Sequence, residues 1–294
     1  MKQINTNKLL IAILLVSALF IQSCGQKAAE NTENKTDTTH VAVAEHKAES
    51  HESHGCGSGS NPCYDQVGTN QSPIDITKYT QYSIKAGSEL ITIKSKGGPT
   101  PVTCITDASH GDSFANFSVN LNNPSDENSI KLNGVVFKLI KFHFHRKSEH
   151  IIPKENNESN MEVHFIYQNA DMKSNLVVFG VVFNGGKDSN KFAGELWPVF
   201  NKMVTDTARK QDSVDFSKLV PGDWAKEFKT YWNYAGSLTT PCYSEGVTWI
   251  VSEKIASMSK EQIDEFNKFT YQSKYPIGTA REPQELKNRI LIKR

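Results

Sequence analysis

Three of the nine histidines in this 294-residue chain fall within ten residues, in the stretch KFHFHRKSEH at positions 141 to 150. Imidazoles gathered so closely point to metal ligation, and the local geometry decides which of them can act together. The preceding GVVFKLI is rich in β-branched and aromatic residues, which favours an extended strand. Successive strand side chains point to opposite faces, so His143 and His145 share one face while Phe142 and Phe144 share the other. Two adjacent neutral imidazoles are half of a metal site, because a catalytic zinc takes three protein ligands and leaves a fourth position open for water. The stretch MEVHFIY offers the third ligand. Its alternation puts Glu162, His164 and Ile166 on one face and Met161, Val163 and Phe165 on the other. A metal-bound imidazole usually gives its other ring proton to a carboxylate or carbonyl, and Glu162 stands where it can serve His164 in that way.

The elements that must position these residues are mostly strands. ELITIKS, NFSVNL, GVVFKLIKFHFH, MEVHFIYQN, NLVVFGVVF and GVTWIVS all read as strands. The clearest helix is SKEQIDEFNKFTY, where Ser259 and Gln262 make a capping box ahead of Ile263, Phe266 and Phe269. Residues 61 to 294 are long enough for one domain with a substantial core. The expected class is mainly β with peripheral helices (α+β), in a single domain.

The N-terminal part has a different composition. Residues 1 to 23 carry Lys2 and Lys8, then LLIAILLVSALFI, then IQSCGQ, which is the layout of a secretory signal. The end of this segment is similar to a bacterial lipobox with Cys24 as the lipidated residue, although Gln22 stands where a smaller residue is commoner. An uncleaved anchor or an ordinary signal cut nearby are the alternatives, and each still exports the chain. Residues 24 to 60 then form a tether beginning at Cys24. From 25 onward it has no aromatic residue and only Val41 and Val43 as branched aliphatics, too little apolar surface to offset the entropy of ordering. His40, His46, His51 and His54 lie in it, either as metal gatherers or as ordinary polar residues of a solvated tether. A whole-chain net charge of +1, with no basic run, argues against nucleic acid as a partner.

Four segments together carry a resemblance: QSPIDI (71 to 76), FHFHRKSEH (142 to 150), MEVHF (161 to 165) and YAGSLTTPCYSEGVTWIV (234 to 251). In order and spacing they resemble the α-class carbonic anhydrases, exported bacterial members included, across most of residues 61 to 294. The resemblance implies a large twisted, mostly antiparallel central sheet. It implies a Zn2+ ion held by His143, His145 and His164, and reversible hydration of carbon dioxide to bicarbonate and a proton. Thr239 would accept the proton of zinc-bound hydroxide and donate its own to Glu149, aiming a lone pair at the substrate carbon. Ile166, Val178, Leu238, Thr240, Val247 and Trp249 would form the pocket for that small substrate.

Departures from the family pattern carry expectations of their own. The position of the usual proton-shuttling histidine falls on Ala115, which leaves His110 as a candidate shuttle or as a plain surface histidine. Lys141 stands where family members commonly have a glutamine that accepts the proton of the first ligand, and an ammonium has donors only. Besides Cys24 there are Cys56, Cys63, Cys104 and Cys242, an even count that suits an oxidising compartment. The family's habit implies Cys63 paired with Cys242, leaving Cys56 and Cys104 as the remainder for a second bridge. The expected protein is an exported enzyme held at a membrane by Cys24, facing the periplasm or cell surface. A catalytically silent binding module of the same fold, or a surface metal-capturing lipoprotein, are the alternatives.

Overall fold

The computed structural model of the chain describes residues 2–3, 68–83, 91–107, 116–154, 160–171, 175–205, 210–220, 223–272 and 280–294. Cys24, the tether histidines, Cys56, Cys63 and His110 lie outside them. Met1–Ile4 and Cys56–Arg294 belong to one compact unit.

Its framework is one sheet. The strands are β1 (Lys2–Gln3), β2 (Gln81–Ser83), β3 (Ile91–Lys94), β4 (Thr100–Asp107), β5 (Asn116–Leu121), β6 (Ser129–Leu132) and β7 (Val135–Arg146). They continue with β8 (Asn160–Gln168), β9 (Leu176–Gly186), β10 (Lys210–Val214), β11 (Tyr231–Ser237), β12 (Glu245–Ser252), β13 (Ala256–Ser259) and β14 (Leu291–Lys293). The main path runs β1-β2-β14-β11-β12-β9-β8-β7-β5-β4-β10. Most neighbours are antiparallel, but β12 and β13 both run parallel to β9, and β2 runs parallel to β14 and to β1. The sheet is therefore mixed with an antiparallel majority, as the resemblance implied. All six strand readings from the sequence coincide with observed strands.

Strand alternation separates two apolar clusters. Phe142, Phe144, Met161, Val163 and Phe165 lie in one, with Phe192, Trp197, Phe200 and Phe266. Ile166, Val178, Val247 and Trp249 lie in the other. Helices α1 (Lys191–Thr205) and α3 (Lys260–Gln272) supply residues to the first, and the short α2 (Trp224–Glu227) adds Trp224. The capping box of α3 is formed: Gln262 N donates to Ser259 Oγ at 3.2 Å, and Ser259 N donates to Gln262 Oε1 at 3.4 Å. Helix α1 escaped the sequence reading, since Gly194 and Pro198 interrupt its pattern. Its N-terminus is capped by Asn190 Oδ1, which accepts from the amides of Phe192 and Ala193.

The remainder bridge from Cys56 to Cys104 is corrected. Cys104 points inward from β4, fully buried as a free thiol in the aromatic cluster. Burial first, and the Asp212 carboxylate second, push its thiol up to about 12. Among the described residues, no helix is long and apolar enough to cross a membrane.

Candidate metal centre

Cross-strand register builds the centre. His143 on β7 lies directly opposite His164 on β8, and His145 lies opposite Glu162. The Nε2 atoms of His143 and His145 face each other 2.9 Å apart. One ligand atom from each of His143, His145 and His164 lies within 4.8 Å of the others. Glu162 Oε1 is 3.1 Å from His164 Nε2, a close contact without strict hydrogen-bond alignment, so Nδ1 is the nitrogen left to face a metal. Burial first, joined by neighbouring cationic groups and opposed by the Glu162 carboxylate, lowers the pKa values of all three imidazoles below the usual histidine range. They are thus held neutral, the form that donates a lone pair. A buried set of three neutral nitrogens fits zinc.

Glu162 does more than serve His164. Its Oε2 accepts the backbone amides of Glu149 and His150, each at 2.8 Å, and its Oε1 accepts from His150 Nδ1 at 2.8 Å. Burial alone would raise this carboxyl, but the facing imidazoles of His150 and His164 hold it well below the usual carboxylate range. Strand β9 makes room for it, since a Cβ on Gly180, the cross-strand partner of His164, would sit 2.6 Å from Glu162 Oε1. His150, Glu162 and His164 also cluster as a second metal-like group. There the carboxylate is already engaged by donors, which favours the three-histidine set as the metal site.

The sequence pattern alone did not assign His150 a role. Its Nε2 lies 2.7 Å from the Tyr234 hydroxyl, which lies 2.9 Å from Ser72 Oγ. Ser72 Oγ in turn accepts the Ser237 amide at 3.1 Å. With the Glu162 bond, this buried chain joins the segment after β7 to β8, β11 and the QSPIDI segment. The clue present in the sequence was the nearness of a third histidine to a run already suspected of chemistry.

Glu149 is buried beside the ligands. Its Oε1 lies 3.4 Å from His145 Nδ1 and accepts the Arg281 amide at 2.9 Å. Burial pushes its carboxyl up to about 8, against the opposing pull of the Arg281 amide and the Thr239 hydroxyl. Thr239 therefore stands close enough to act on the carboxylate, although Oε2 has no well-aligned hydrogen-bond donor among the described residues. Thr240 follows Thr239 in a turn closed by the Tyr243 amide donating to Thr240 O at 2.7 Å.

Four of the expected pocket residues, Ile166, Val178, Val247 and Trp249, belong to the second apolar cluster, and Leu238 packs against it. Ile166 is opposite Val178, and Val178 is opposite Trp249. The Trp249 ring centroid is 4.8 Å from that of His164, which places this apolar patch beside the imidazoles. Lys141 sits on the same strand face as His143, between Asn120 on β5 and Ile166 on β8, and its positive charge helps to lower the His143 pKa.

The family model for eukaryotic-type carbonic anhydrase matches residues 51–294. The chain belongs to this family. A carbonic anhydrase of Klebsiella pneumoniae is 32% identical over 164 residues, covering 56% of this chain and 61% of that protein. Carbonic anhydrase Nec1 of Nesocodon mauritianus is 31% identical over 199 residues, or 67% of this chain and 65% of that protein. The chain thus spans less than two thirds of the length of either relative. Among solved structures, a hyperthermostable carbonic anhydrase identified from an active hydrothermal vent chimney is similar at a TM-score of 0.58. It has 30% identity, with 78% of this chain and 89% of that one covered.

Proposed function

We propose that this member of the carbonic anhydrase family is a zinc enzyme that interconverts carbon dioxide with bicarbonate and a proton. The observation that carries the reading is the convergence of His143, His145 and His164 on one buried point, with Glu149 against two of them. Zinc bound there supplies a dication that favours deprotonation of water near neutral pH, carbonic anhydrase being itself the type case for this effect. The chain's own residues supply direction. Thr239 donates its hydroxyl proton to Glu149, so its oxygen is left to accept the proton of the nucleophile, and a lone pair is turned toward the substrate carbon. The Arg281 amide donates to Glu149 and pulls its carboxyl toward the accepting, ionised form against the burial that raises it. Ile166, Val178, Leu238, Val247 and Trp249 offer an apolar wall with few groups able to retain an anionic product.

Export and attachment through Cys24 belong to the same proposal, supported by the leader composition of residues 1 to 23 and by the tether that follows. Leader cleavage would remove β1 and leave β2 as the sheet edge. The bridge between Cys63 and Cys242 is also proposed; what supports it is that Cys242, unlike Cys104, is not a free thiol. His110 stands as the proposed proton shuttle on sequence grounds alone.

The test is stopped-flow hydration of carbon dioxide by purified, zinc-loaded protein, alongside metal analysis. We expect one zinc per chain and an acceleration abolished by chelation. Stoichiometric zinc without acceleration would replace the enzyme with the silent binding module.

A further inference from the structure

Thr239 and Glu149 lie far apart in sequence, in the segments that follow β11 and β7, yet the proposed reaction needs the hydroxyl and the carboxylate in one fixed relation. Arg281 touches the support of both. Its backbone amide donates to Glu149 Oε1 at 2.9 Å. Its guanidinium donates from Nη1 to Gln71 Oε1 at 2.8 Å and to the Ser72 carbonyl at 2.7 Å. The same guanidinium lies over the Tyr243 ring, with Cζ 3.7 Å from the centroid. Tyr243 closes the turn that carries Thr239 and Thr240, its amide donating to Thr240 O at 2.7 Å. Gln71 reaches the same turn, its Nε2 donating to Tyr243 O at 3.3 Å and to Glu245 Oε1 at 3.0 Å. Glu245 Oε1 also accepts the Asn70 amide at 2.6 Å, which ties the segment before QSPIDI to the start of β12. Gln71 and Ser72 are buried, while Arg281 and Tyr243 are half-buried at the other end of these bonds.

We propose that Arg281 is a positioning residue that sets the reach from Thr239 to Glu149. Its amide fixes the carboxylate, while its guanidinium clamps the threonine turn through Tyr243 and Gln71. The inference deepens the carbonic anhydrase reading and rests on it. The arrangement requires arginine rather than a generic cation: a planar fork donates along its edge while its face stacks on an aromatic ring, and a lysine ammonium does neither at once. Every side-chain substitution at Arg281 retains the amide to Glu149, so such variants isolate the clamp on the turn.

The experiment is a mutant cycle in the zinc-loaded full chain, reading kcat and KM for carbon dioxide hydration together with zinc content. Arg281→Lys is expected to lower kcat by about 10- to 100-fold, the cost typical of misplacing a reacting group by a fraction of its size, with KM and zinc stoichiometry unchanged. Tyr243→Leu should reproduce the loss, and Tyr243→Phe, which keeps the ring face, should restore activity; these two variants carry the test if Arg281→Lys does not fold. The deciding arm adds Thr239→Ala. If Arg281 acts through Thr239, its substitution costs no more than about two-fold in that background, because the interaction it supports is already gone. Equal losses in both backgrounds, or full activity of Arg281→Lys with zinc bound, would overturn the clamp and leave the enzyme assignment intact. Full activity of Thr239→Ala alone would instead overturn the role given to Thr239.

Discussion

Strand β7 has two faces that obey different rules. Phe142 and Phe144 point into a cluster in which Phe142 packs against Phe165, Phe192 and Phe216, with ring centroids 5.5 to 5.7 Å apart. His143 and His145, the residues alternating with them, point at His164, Glu162 and Glu149. On the aromatic face any well-shaped apolar neighbour serves, because dispersion and burial are not directional. On the imidazole face each group needs a particular partner, because a buried polar atom left unpaired costs about 1–3 kcal/mol. The contrast teaches that one strand holds stability and chemistry one residue apart, and that substitutions on the two faces are separable.

The largest expected effect comes from the polar face. His164→Ala removes the third nitrogen, so stable zinc binding and hydration activity are lost while the far-ultraviolet dichroism and a cooperative unfolding transition persist. Stoichiometric zinc with full activity in this variant would break the distinction between the faces. Next comes Phe144→Ala, which should cost about 3–5 kcal/mol in denaturant unfolding, as expected for emptying a core aromatic site. Zinc stoichiometry and activity per folded molecule should survive it.

A finer test is Gly180→Ala. The new Cβ would displace the Glu162 carboxylate that lies 2.6 Å from its position, and losing such support for a ligand typically costs about 10–100-fold in metal affinity. Chelator competition measures it, and unchanged zinc affinity would show that Glu162 relaxes without consequence for His164. The smallest effect is expected at Lys141. Lys141→Gln removes a positive charge that opposes a cation at His143 and adds a carbonyl acceptor, so zinc should dissociate more slowly, by up to about ten-fold. An unchanged dissociation rate would mean that the ammonium already turns to solvent.

Much of this was legible in residue order. The six strands, the capped helix, and the sharing of faces by His143 with His145 and by Glu162 with His164 all follow from local patterns, and the apolar residues beside them were implied by the family resemblance. Helix α1 was not legible, because Gly194 and Pro198 weaken a helical signal that Trp197, Phe200 and the Asn190 cap restore only in the packed molecule. Cys104 was misread as available for a bridge because cysteine counting cannot see burial.

Strand alternation and capping are properties of neighbours in the chain, with periods of two and spacings of three, and for that reason the sequence by itself determined the ligand face and the helix start, while four short motifs carried the family resemblance. The links that complete the centre join residues far apart. His150 meets Tyr234 across 84 positions, Ser237 meets Ser72 across 165, and Arg281 meets Gln71 across 210. No local period encodes such pairings, and many residues compete for each partner until the sheet closes. Only the tertiary structure decided them, because the entropy of bringing those ends together is offset by the packing of the whole sheet rather than by any single bond.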